Sequence, residues 1–334
     1  MDETTRLVQQ MYTAFPYPSP KPGGPQLREL RNLLTIFTSE TGYLFKGKRI
    51  LDAGTGTGHR LIEAARALPD TEFVAVDISE SPLAIARRTA DEQGVKNIQF
   101  RQCNLMEDGV SLGGFDIILC MGVLHHLSYP AKGLRNLARH LSSDGLLFLY
   151  LYGAHGGRER IRRKQIVSLL QGRAAGDFER GIRLVRELGF DSFEYGWNLN
   201  AGDEAARNCL IVDAYLHVNE KLFDAAAIFE LMRVSGLYGF AAYGLTLADR
   251  GCLFDTRYAP PGRGFIETTA IDKHLKSPEL IEAYHQLSLK DRYCLIDLLF
   301  EPNGYTLVAF PEGALAHFSG GSRIAANTLR TADL

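Results

Sequence analysis

Residues 50–59 of the chain, Ile-Leu-Asp-Ala-Gly-Thr-Gly-Thr-Gly-His, decide how the rest of the sequence is interpreted. The apolar residues that begin this stretch predict a strand and the residues after His59 predict a helix, so the glycines form the connecting loop. Glycine accepts positive φ and lets a ligand approach the backbone, which suits a loop at the carboxyl end of a parallel strand. The spacing is GxGxG, because His59 stands where the dinucleotide pattern GxGxxG needs glycine. The loop predicts a nucleoside-cofactor site, and a tight turn that binds nothing is the alternative.

From residue 48 to residue 152 the sequence alternates between short apolar runs and amphipathic segments. Asp77 ends the second apolar run, at a point where a carboxylate accepts hydrogen bonds from ribose hydroxyls. The alternation implies βαβ units, so the predicted fold class is α/β, with a doubly wound, Rossmann-like parallel sheet. The predicted strands are 48–53, 72–77, 97–102, 115–121 and 146–152, and the predicted helices are 59–68, 81–93 and 131–141.

The segments on either side of this core have a different character. Residues 1–47 are interpreted as an N-terminal arm and helix, rich in proline and aromatic residues, that closes over the core as a lid. Residues 48–152 form the cofactor-binding core, and residues 153–302 form a mainly helical cap or insertion around the acceptor. A final strand within 303–320 returns to the sheet as a late antiparallel edge strand, and residues 321–334 form a tail.

Composition limits the classes of protein and partner. The chain has 334 residues, 46% of them hydrophobic, with 37 basic against 39 acidic residues, which argues against a nucleic-acid partner. The five cysteines form no CxxC pair and indicate reduced thiols. No apolar stretch reaches the length of a bilayer, so no membrane association and a cytoplasmic location are expected. A homodimer is left open.

Four segments, ILDAGTGTG, FVAVDIS, FDIILCMGVLHHL and LSSDGLLFLYLY, together resemble the class I S-adenosylmethionine-dependent methyltransferases. The resemblance implies S-adenosyl-L-methionine as cofactor and S-adenosyl-L-homocysteine as product. It places the methionine part at Gly54 and Gly56, the ribose at Asp77 and the adenine at Ile78. Asn104 stands where the family usually has an acidic residue, and an amide can also bond the adenine edge. The full set of expected cofactor residues is Asp52, Gly54, Thr55, Gly56, Gly58, Asp77, Ile78, Asn104, Leu105, Cys120, Met121 and Tyr17.

The arm MYTAFPYP and the segment DAYLHVNEKLF resemble a less characterised subset of the same family. His125 and His126 follow the fourth strand, and Tyr215 and His217 lie in the second segment. These four residues are the catalytic candidates, as a general base or as groups that orient the acceptor, with ordinary packing as the alternative. No metal is expected, because the chain has no HExxH or comparable spacing, although Asp213 and His217 with the histidine pair would offer ligands if the segments met.

The basic run from Arg158 to Lys164 predicts a solvated helix face. The expected function is the transfer of a methyl group to a small or medium-sized acceptor by in-line displacement. The alternative from another class is a non-catalytic partner or scaffold that binds S-adenosylmethionine or S-adenosylhomocysteine. Cofactor binding without turnover would distinguish this alternative from the enzyme.

Overall fold

The computed structural model describes residues 1–18, 29–172, 176–192, 203–247, 251–252, 274–318, 324 and 327–334. Its strands are β1 (Arg49–Ala53), β2 (Glu72–Asp77), β3 (Ile98–Gln102), β4 (Phe115–Met121), β5 (Leu141–Tyr152), β6 (Gly239–Leu247), β7 (Gly251–Cys252), β8 (Pro302–Phe310) and β9 (Leu329–Arg330). Its α-helices are α1 (Glu3–Ala14), α2 (Glu29–Thr41), α3 (His59–Ala67), α4 (Glu80–Glu92), α5 (Pro130–Ala138), α6 (Arg158–Gln171), α7 (Phe178–Glu187), α8 (Glu204–Ile211), α9 (Ala225–Arg233), α10 (Pro278–Gln286) and α11 (Leu289–Phe300).

The strands form one mixed sheet with the order β3-β2-β1-β4-β5-β8-β6-β7, and β9 pairs with β6. Strands β1 to β5 run parallel, whereas β8 is antiparallel to both β5 and β6. The order of the strands reverses between β1 and β4, so their carboxyl ends border the crevice in which doubly wound sheets bind ligands. The predicted fold class is confirmed.

The central strands are buried because helices cover both faces of the sheet. Ile50 and Ile117 enter one apolar cluster, whereas Leu51 and Ile118 enter another, so neighbouring residues of β1 and β4 point to opposite faces. All four side chains have no solvent exposure. Burial on both faces explains why these strands read as continuous apolar runs rather than as alternating patterns.

Strand β6 is the main element that the sequence pattern does not predict. Its sequence, GFAAYGLTL, contains glycines and alanines, which have low strand propensity. It lies within the segment 153–302 that the pattern assigns to a mainly helical cap, yet it pairs with β8 along its length. Antiparallel strands complete this side of the sheet as expected, and β6 and β7 extend it beyond β8.

Three helices of the cap begin with an aspartate that caps their first turn. Asp177, Asp203 and Asp224 accept hydrogen bonds from backbone N–H groups at the starts of α7, α8 and α9. After α8 the chain continues as a π-helical turn, Val212–Leu216. None of the helices within the described ranges has the length and hydropathy needed to cross a membrane. The cap and α1 share an apolar cluster of Met11, Val167, Ile182, Val185, Ile211, Val212 and Tyr215.

Candidate active site

The glycine loop joins β1 to α3 in a conformation that its glycines permit. Gly54, Gly56 and Gly58 have φ values of 86°, 57° and 72°, in the region that strongly favours glycine. A β-carbon on Gly54 would lie 2.3 Å from Cγ2 of Val123, and one on Gly58 would lie 2.7 Å from Cβ of Ala86. The first contact shows that the glycine loop lies against the loop after β4, and the second lets α4 pack closely.

Asp77 ties the glycine loop to the end of β2. Its Oδ2 accepts the N–H of Gly56 at 2.9 Å, and its Oδ1 accepts the N–H of Ser79 at 2.9 Å. Burial raises the pKa of Asp77 to about 6, against the lowering effect of these hydrogen bonds, so the carboxylate is ionised at neutral pH. Each oxygen retains a lone pair for a further donor, which fits a pair of ribose hydroxyls.

The other expected cofactor residues lie at the carboxyl ends of the neighbouring strands. Oδ1 of Asn104 accepts the N–H of Met106 at 2.9 Å, so its amide group is held in one orientation. The carbonyl of Leu105 accepts from Asn136, and that of Ile78 accepts from Gln102. Among the expected cofactor residues, Cys120 and Asp52 are buried and Met121 is partly buried.

The N-terminal arm lies directly on the glycine loop. The carbonyl of Tyr17 accepts the N–H of Thr57 at 3.2 Å, and that of Pro18 accepts the Thr57 hydroxyl at 2.9 Å. A β-carbon on Gly56 would lie 2.2 Å from the Tyr17 carbonyl oxygen, so this glycine makes room for the arm. The proline-rich residues 19–25 of the predicted lid lie outside the described residues.

Helix α1 precedes this part of the arm and lies beside the loop that follows β2. Nε2 of Gln9 donates to the carbonyl of Ile78 at 2.8 Å, and the hydroxyls of Thr13 and Ser79 lie 2.7 Å apart. Because Ile78 and Ser79 directly follow Asp77, α1 rests on the loop where the adenosine part of a nucleoside cofactor is expected.

A buried polar cluster lies where the loop after β4 meets the cap and α1. We call it the histidine cluster and define it as Tyr12, His126, Asp213, His217 and Asn219. The rings of His126 and His217 are stacked with their centroids 3.7 Å apart. The Tyr12 hydroxyl lies 3.2 Å from Oδ1 of Asp213 and 3.1 Å from Nε2 of His217. The structure thus brings together two of the four catalytic candidates, His126 and His217. It places Tyr12, Asp213 and Asn219 beside them.

The backbone of Asn219 fixes the tautomers of both histidines. Its N–H donates to Nδ1 of His217 at 3.1 Å, so the hydrogen of the neutral ring is on Nε2 and is donated to the Tyr12 oxygen. Its carbonyl lies 3.0 Å from Nδ1 of His126 and can only accept, so the His126 hydrogen is on Nδ1 and Nε2 keeps its lone pair. Tyr12 in turn donates to Asp213.

Burial keeps both rings neutral. It lowers the pKa of His126 to about 4, although the Glu220 carboxylate opposes this shift. Burial and the neighbouring His126 lower the pKa of His217 well below its ordinary value. Burial also raises the pKa of Asp213 to about 6, helped by repulsion from Glu220. At neutral pH the cluster therefore contains uncharged imidazoles and one carboxylate.

His125 makes contacts of a different kind. It has 0% exposure, and neither of its ring nitrogens has a hydrogen-bond partner within the described part of the chain. Its ring stacks on Tyr152 with the centroids 3.8 Å apart. Burial lowers its pKa well below the ordinary value, so it is a neutral, packed side chain. This environment favours the packing alternative for His125.

Two residues of the basic run face inward, contrary to the predicted solvated face. Arg160 forms a bidentate ion pair with Glu220, and Nζ of Lys164 lies 3.0 Å from the same carboxylate. The Glu220 side chain is only 1% exposed. Residues 160 and 164 are four positions apart and therefore lie on one helix face. This spacing is the sequence signal that the two cations could bind one shared partner.

Tyr215 lies in the apolar cluster of the cap. Its ring centroid is 6.3 Å from that of Phe190, and its hydroxyl forms a hydrogen bond with Arg163. Its neighbour Ala214 is also partly buried against this cluster. These contacts favour packing over proton transfer as the role of Tyr215.

His126, Asp213 and His217 each offer one ligand atom, and these atoms lie within 4.8 Å of one another. A metal bound to Nε2 of His217 would require that nitrogen to lose its hydrogen while Nδ1 still accepts from Asn219. The ring would have to become an imidazolate or give up the Asn219 bond. The geometry favours a hydrogen-bonded network over a metal site, and the absence of a metal stays a prediction.

Comparison with known proteins agrees with this architecture. Residues 44–156 match the family model described as a methyltransferase domain. An uncharacterized protein of Synechococcus sp., syc1184_c, is 30% identical over 313 residues, which cover 89% of this chain and 69% of that protein. A ubiquinone biosynthesis O-methyltransferase of Marinobacter nauticus is 34% identical over 106 residues, or 31% of this chain and 43% of that protein.

Among solved structures, PKMT2 from Rickettsia typhi in complex with AdoHcy has a TM-score of 0.55 and 16% sequence identity. The match covers 90% of this chain and 53% of that chain, so this chain spans about half the length of PKMT2. This likeness shows a shared fold. Residues 44–156, which include the glycine loop, therefore form a methyltransferase domain with the class I fold.

Proposed function

We propose that the protein transfers the methyl group of S-adenosylmethionine to a small or medium-sized acceptor by in-line displacement. The observation that carries this proposal is the position of the histidine cluster. Val123, which touches Gly54, lies three residues before His126, so the loop after β4 contacts the cofactor loop and also supplies a polar group to the cap. Donor and acceptor sites are therefore adjacent, as a single displacement requires.

The cofactor assignment follows the geometry of the crevice. The sites around Gly54 and Gly56 would hold the methionine part, the ionised Asp77 would accept from both ribose hydroxyls, and Ile78 would lie against the adenine. When bound, the cofactor supplies a methyl group already activated by the positive sulfur. The remaining residues proposed to line the cofactor are Asp52, Thr55, Gly58, Asn104, Leu105, Cys120, Met121 and Tyr17.

The chain mainly aligns the reactants, because the donor needs little further activation. His126 is the residue best placed to take a proton from the acceptor, since its Nε2 has a lone pair and Nδ1 is held by Asn219. Hydrogen bonds join the Tyr12 hydroxyl to Asp213 and to His217, and they keep these three side chains in one arrangement beside His126. We propose packing roles for His125 and Tyr215.

Acceptor choice is proposed to reside in the cap, residues 153–302, and in the arm, residues 1–47. The cap supplies Asp213 and His217 to the cluster, and the arm supplies Tyr12. The enclosed setting of these side chains suits a small molecule better than a polymer, which would need an open groove. The Marinobacter relative carries the name of an O-methyltransferase of ubiquinone biosynthesis, a name consistent with such an acceptor.

Calorimetry with S-adenosylhomocysteine and with NADH tests the cofactor assignment. We expect the first to bind and the second not to bind, because His59 replaces the glycine of the dinucleotide pattern. Binding of S-adenosylhomocysteine without methyl transfer to any compound of a cell extract would favour the non-catalytic alternative. The absence of S-adenosylhomocysteine binding would refute both functions.

A further inference from the structure

The donors of the histidine cluster are used within the cluster itself. Tyr12 donates to Oδ1 of Asp213, His217 donates to Tyr12, and His126 donates to the Asn219 carbonyl. Two positions remain, Nε2 of His126 and Oδ2 of Asp213, and neither has a hydrogen-bond partner among the residues described here. Both are acceptors at neutral pH, so a bound group that satisfies them must bring its own hydrogen.

Hydroxyl and ammonium groups both bring such a hydrogen, but they differ in whether they can attack a methyl group. A hydroxyl oxygen keeps a lone pair while its hydrogen is donated. An ammonium nitrogen has no lone pair until it has lost a proton, and a typical amine holds that proton with a pKa of about 10. His126, with its pKa lowered to about 4 by burial, is too weak a base to remove it. A thiol is only a weak hydrogen-bond donor, so it is a poor partner for the acceptor atoms of His126 and Asp213.

The charges around the cluster also favour a neutral group. The cations Arg160 and Lys164 pair with Glu220, and the Asp213 carboxylate supplies the second negative charge nearby. Two positive and two negative charges therefore balance in a buried region. An added unpaired charge would carry a desolvation penalty that a neutral hydroxyl avoids.

We propose that the acceptor group is a neutral hydroxyl that donates its hydrogen to Nε2 of His126, and that the reaction is an O-methylation. This inference rests on the proposed methyl transfer. The acceptor oxygen forms a bond to the methyl carbon as the carbon–sulfur bond breaks, and the sulfur keeps that electron pair. As the methyl–oxygen bond forms, the oxygen gains positive charge and its hydrogen becomes strongly acidic, so even a weak base can accept it. The proton then passes to Nε2 of His126, which later returns it to solvent.

The first test uses the full chain, S-adenosylmethionine with a ¹³C-labelled methyl group, and a cell extract as the source of acceptors. Carbon NMR and mass spectrometry then assign each labelled methyl to oxygen, nitrogen, sulfur or carbon. We expect labelled O-methyl products. Labelled methyl groups on nitrogen, sulfur or carbon alone would overturn the hydroxyl acceptor while leaving methyl transfer intact, whereas the absence of any labelled product would refute methyl transfer itself.

The second test compares His126→Gln with His140→Gln. Both histidines place Nδ1 against a backbone carbonyl, but His140 is only partly buried and lies beside the start of β4, at the other end of that strand from the cluster. Glutamine can accept a hydrogen bond but cannot take the proton, so His126→Gln should lower O-methyl formation by about 10²–10⁴-fold. His140→Gln should leave it unchanged. A loss below tenfold in a folded His126→Gln protein that still binds S-adenosylhomocysteine would overturn the role of His126.

A third measurement needs no variant. Nitrogen NMR of the wild-type protein labelled at histidine, with S-adenosylhomocysteine bound, reports which ring nitrogen carries the hydrogen. We expect hydrogen on Nδ1 of His126 and on Nε2 of His217 near neutral pH. The opposite tautomer at His126 would remove the lone pair from Nε2 and overturn the proposal, even if the substituted protein failed to fold.

Discussion

Replacing Asp77 by alanine gives the sharpest test of the cofactor site. Its two oxygens accept N–H groups of Gly56 and Ser79, so the substitution leaves two backbone donors without their acceptor. The glycine loop loses the bond that fixes Gly56, and the ribose hydroxyls lose an ionised acceptor. Both effects weaken cofactor binding more than they weaken the fold, because the sheet itself is unchanged.

The expected loss of affinity follows from the ribose hydroxyls, which would lose their hydrogen-bond acceptor in the complex. A donor left without its partner in a buried site costs about 1–3 kcal/mol, and that range corresponds to about a 5- to 150-fold weaker Kd. Calorimetric titration of Asp77→Ala with S-adenosylhomocysteine measures the change directly. The expected Kd is therefore higher than that of the wild-type protein by a factor in this range.

Asp116→Ala is the matched control for this measurement. Asp116 also accepts a backbone N–H, that of Arg49 at 2.8 Å, and it pairs with Lys48 at 3.2 Å. It lies at the start of β4, at the opposite end of the sheet from the crevice, so its loss should lower stability without changing affinity. Unchanged affinity in Asp77→Ala would refute the placement of the ribose at this carboxylate.

Three further predictions concern the same crevice. Affinity for S-adenosylhomocysteine should fall as pH decreases through about 6, because burial raises the pKa of Asp77 to that value and hydroxyl donors bind its ionised form. Titrations above and below that pH should show this fall in the wild type and not in Asp77→Asn. Gly56→Val should abolish binding of S-adenosylhomocysteine, because a β-carbon there would lie 2.2 Å from the Tyr17 carbonyl oxygen and a φ of 57° is strained for valine. Normal affinity in a folded variant would place the ligand elsewhere. Deleting residues 1–24 should leave the sheet folded, as followed by circular dichroism, but reduce methyl transfer, and full activity would contradict the role of the arm.

The sequence predicts the core well because its signals are local. The run from Ile50 to His59 contains the strand, the glycine loop and the start of the helix, and these follow from periodicity and backbone preference. Asp77 is recognisable because it ends a strand of the same pattern. Strand β6 is harder to predict, because its position depends on pairing with β8 rather than on its own alanines and glycines.

The histidine cluster is only partly predictable, since its members meet through tertiary packing. Tyr12 and Asp213 are separated by 201 residues and still form a hydrogen bond. Asn219 acts through its backbone groups, which no side-chain pattern reveals. Arg160 and Lys164 belong to a basic run typical of a solvated helix. Their spacing places them on one helix face, but it does not show that this face is turned toward the buried Glu220.

Helix α1 contacts both the proposed cofactor site and the histidine cluster. The binding free energies of the methyl donor and the acceptor are therefore expected to be coupled through this helix. Gln9 and Thr13 bind the loop at Ile78 and Ser79, whereas Tyr12, between them in sequence, binds Asp213. A ligand that steadies the helix at one of these places lowers the ordering cost at the other. Thermodynamic reciprocity then requires each ligand to raise the affinity for its partner by the same factor. We therefore expect donor and acceptor to bind cooperatively, each with higher affinity when the other is already bound.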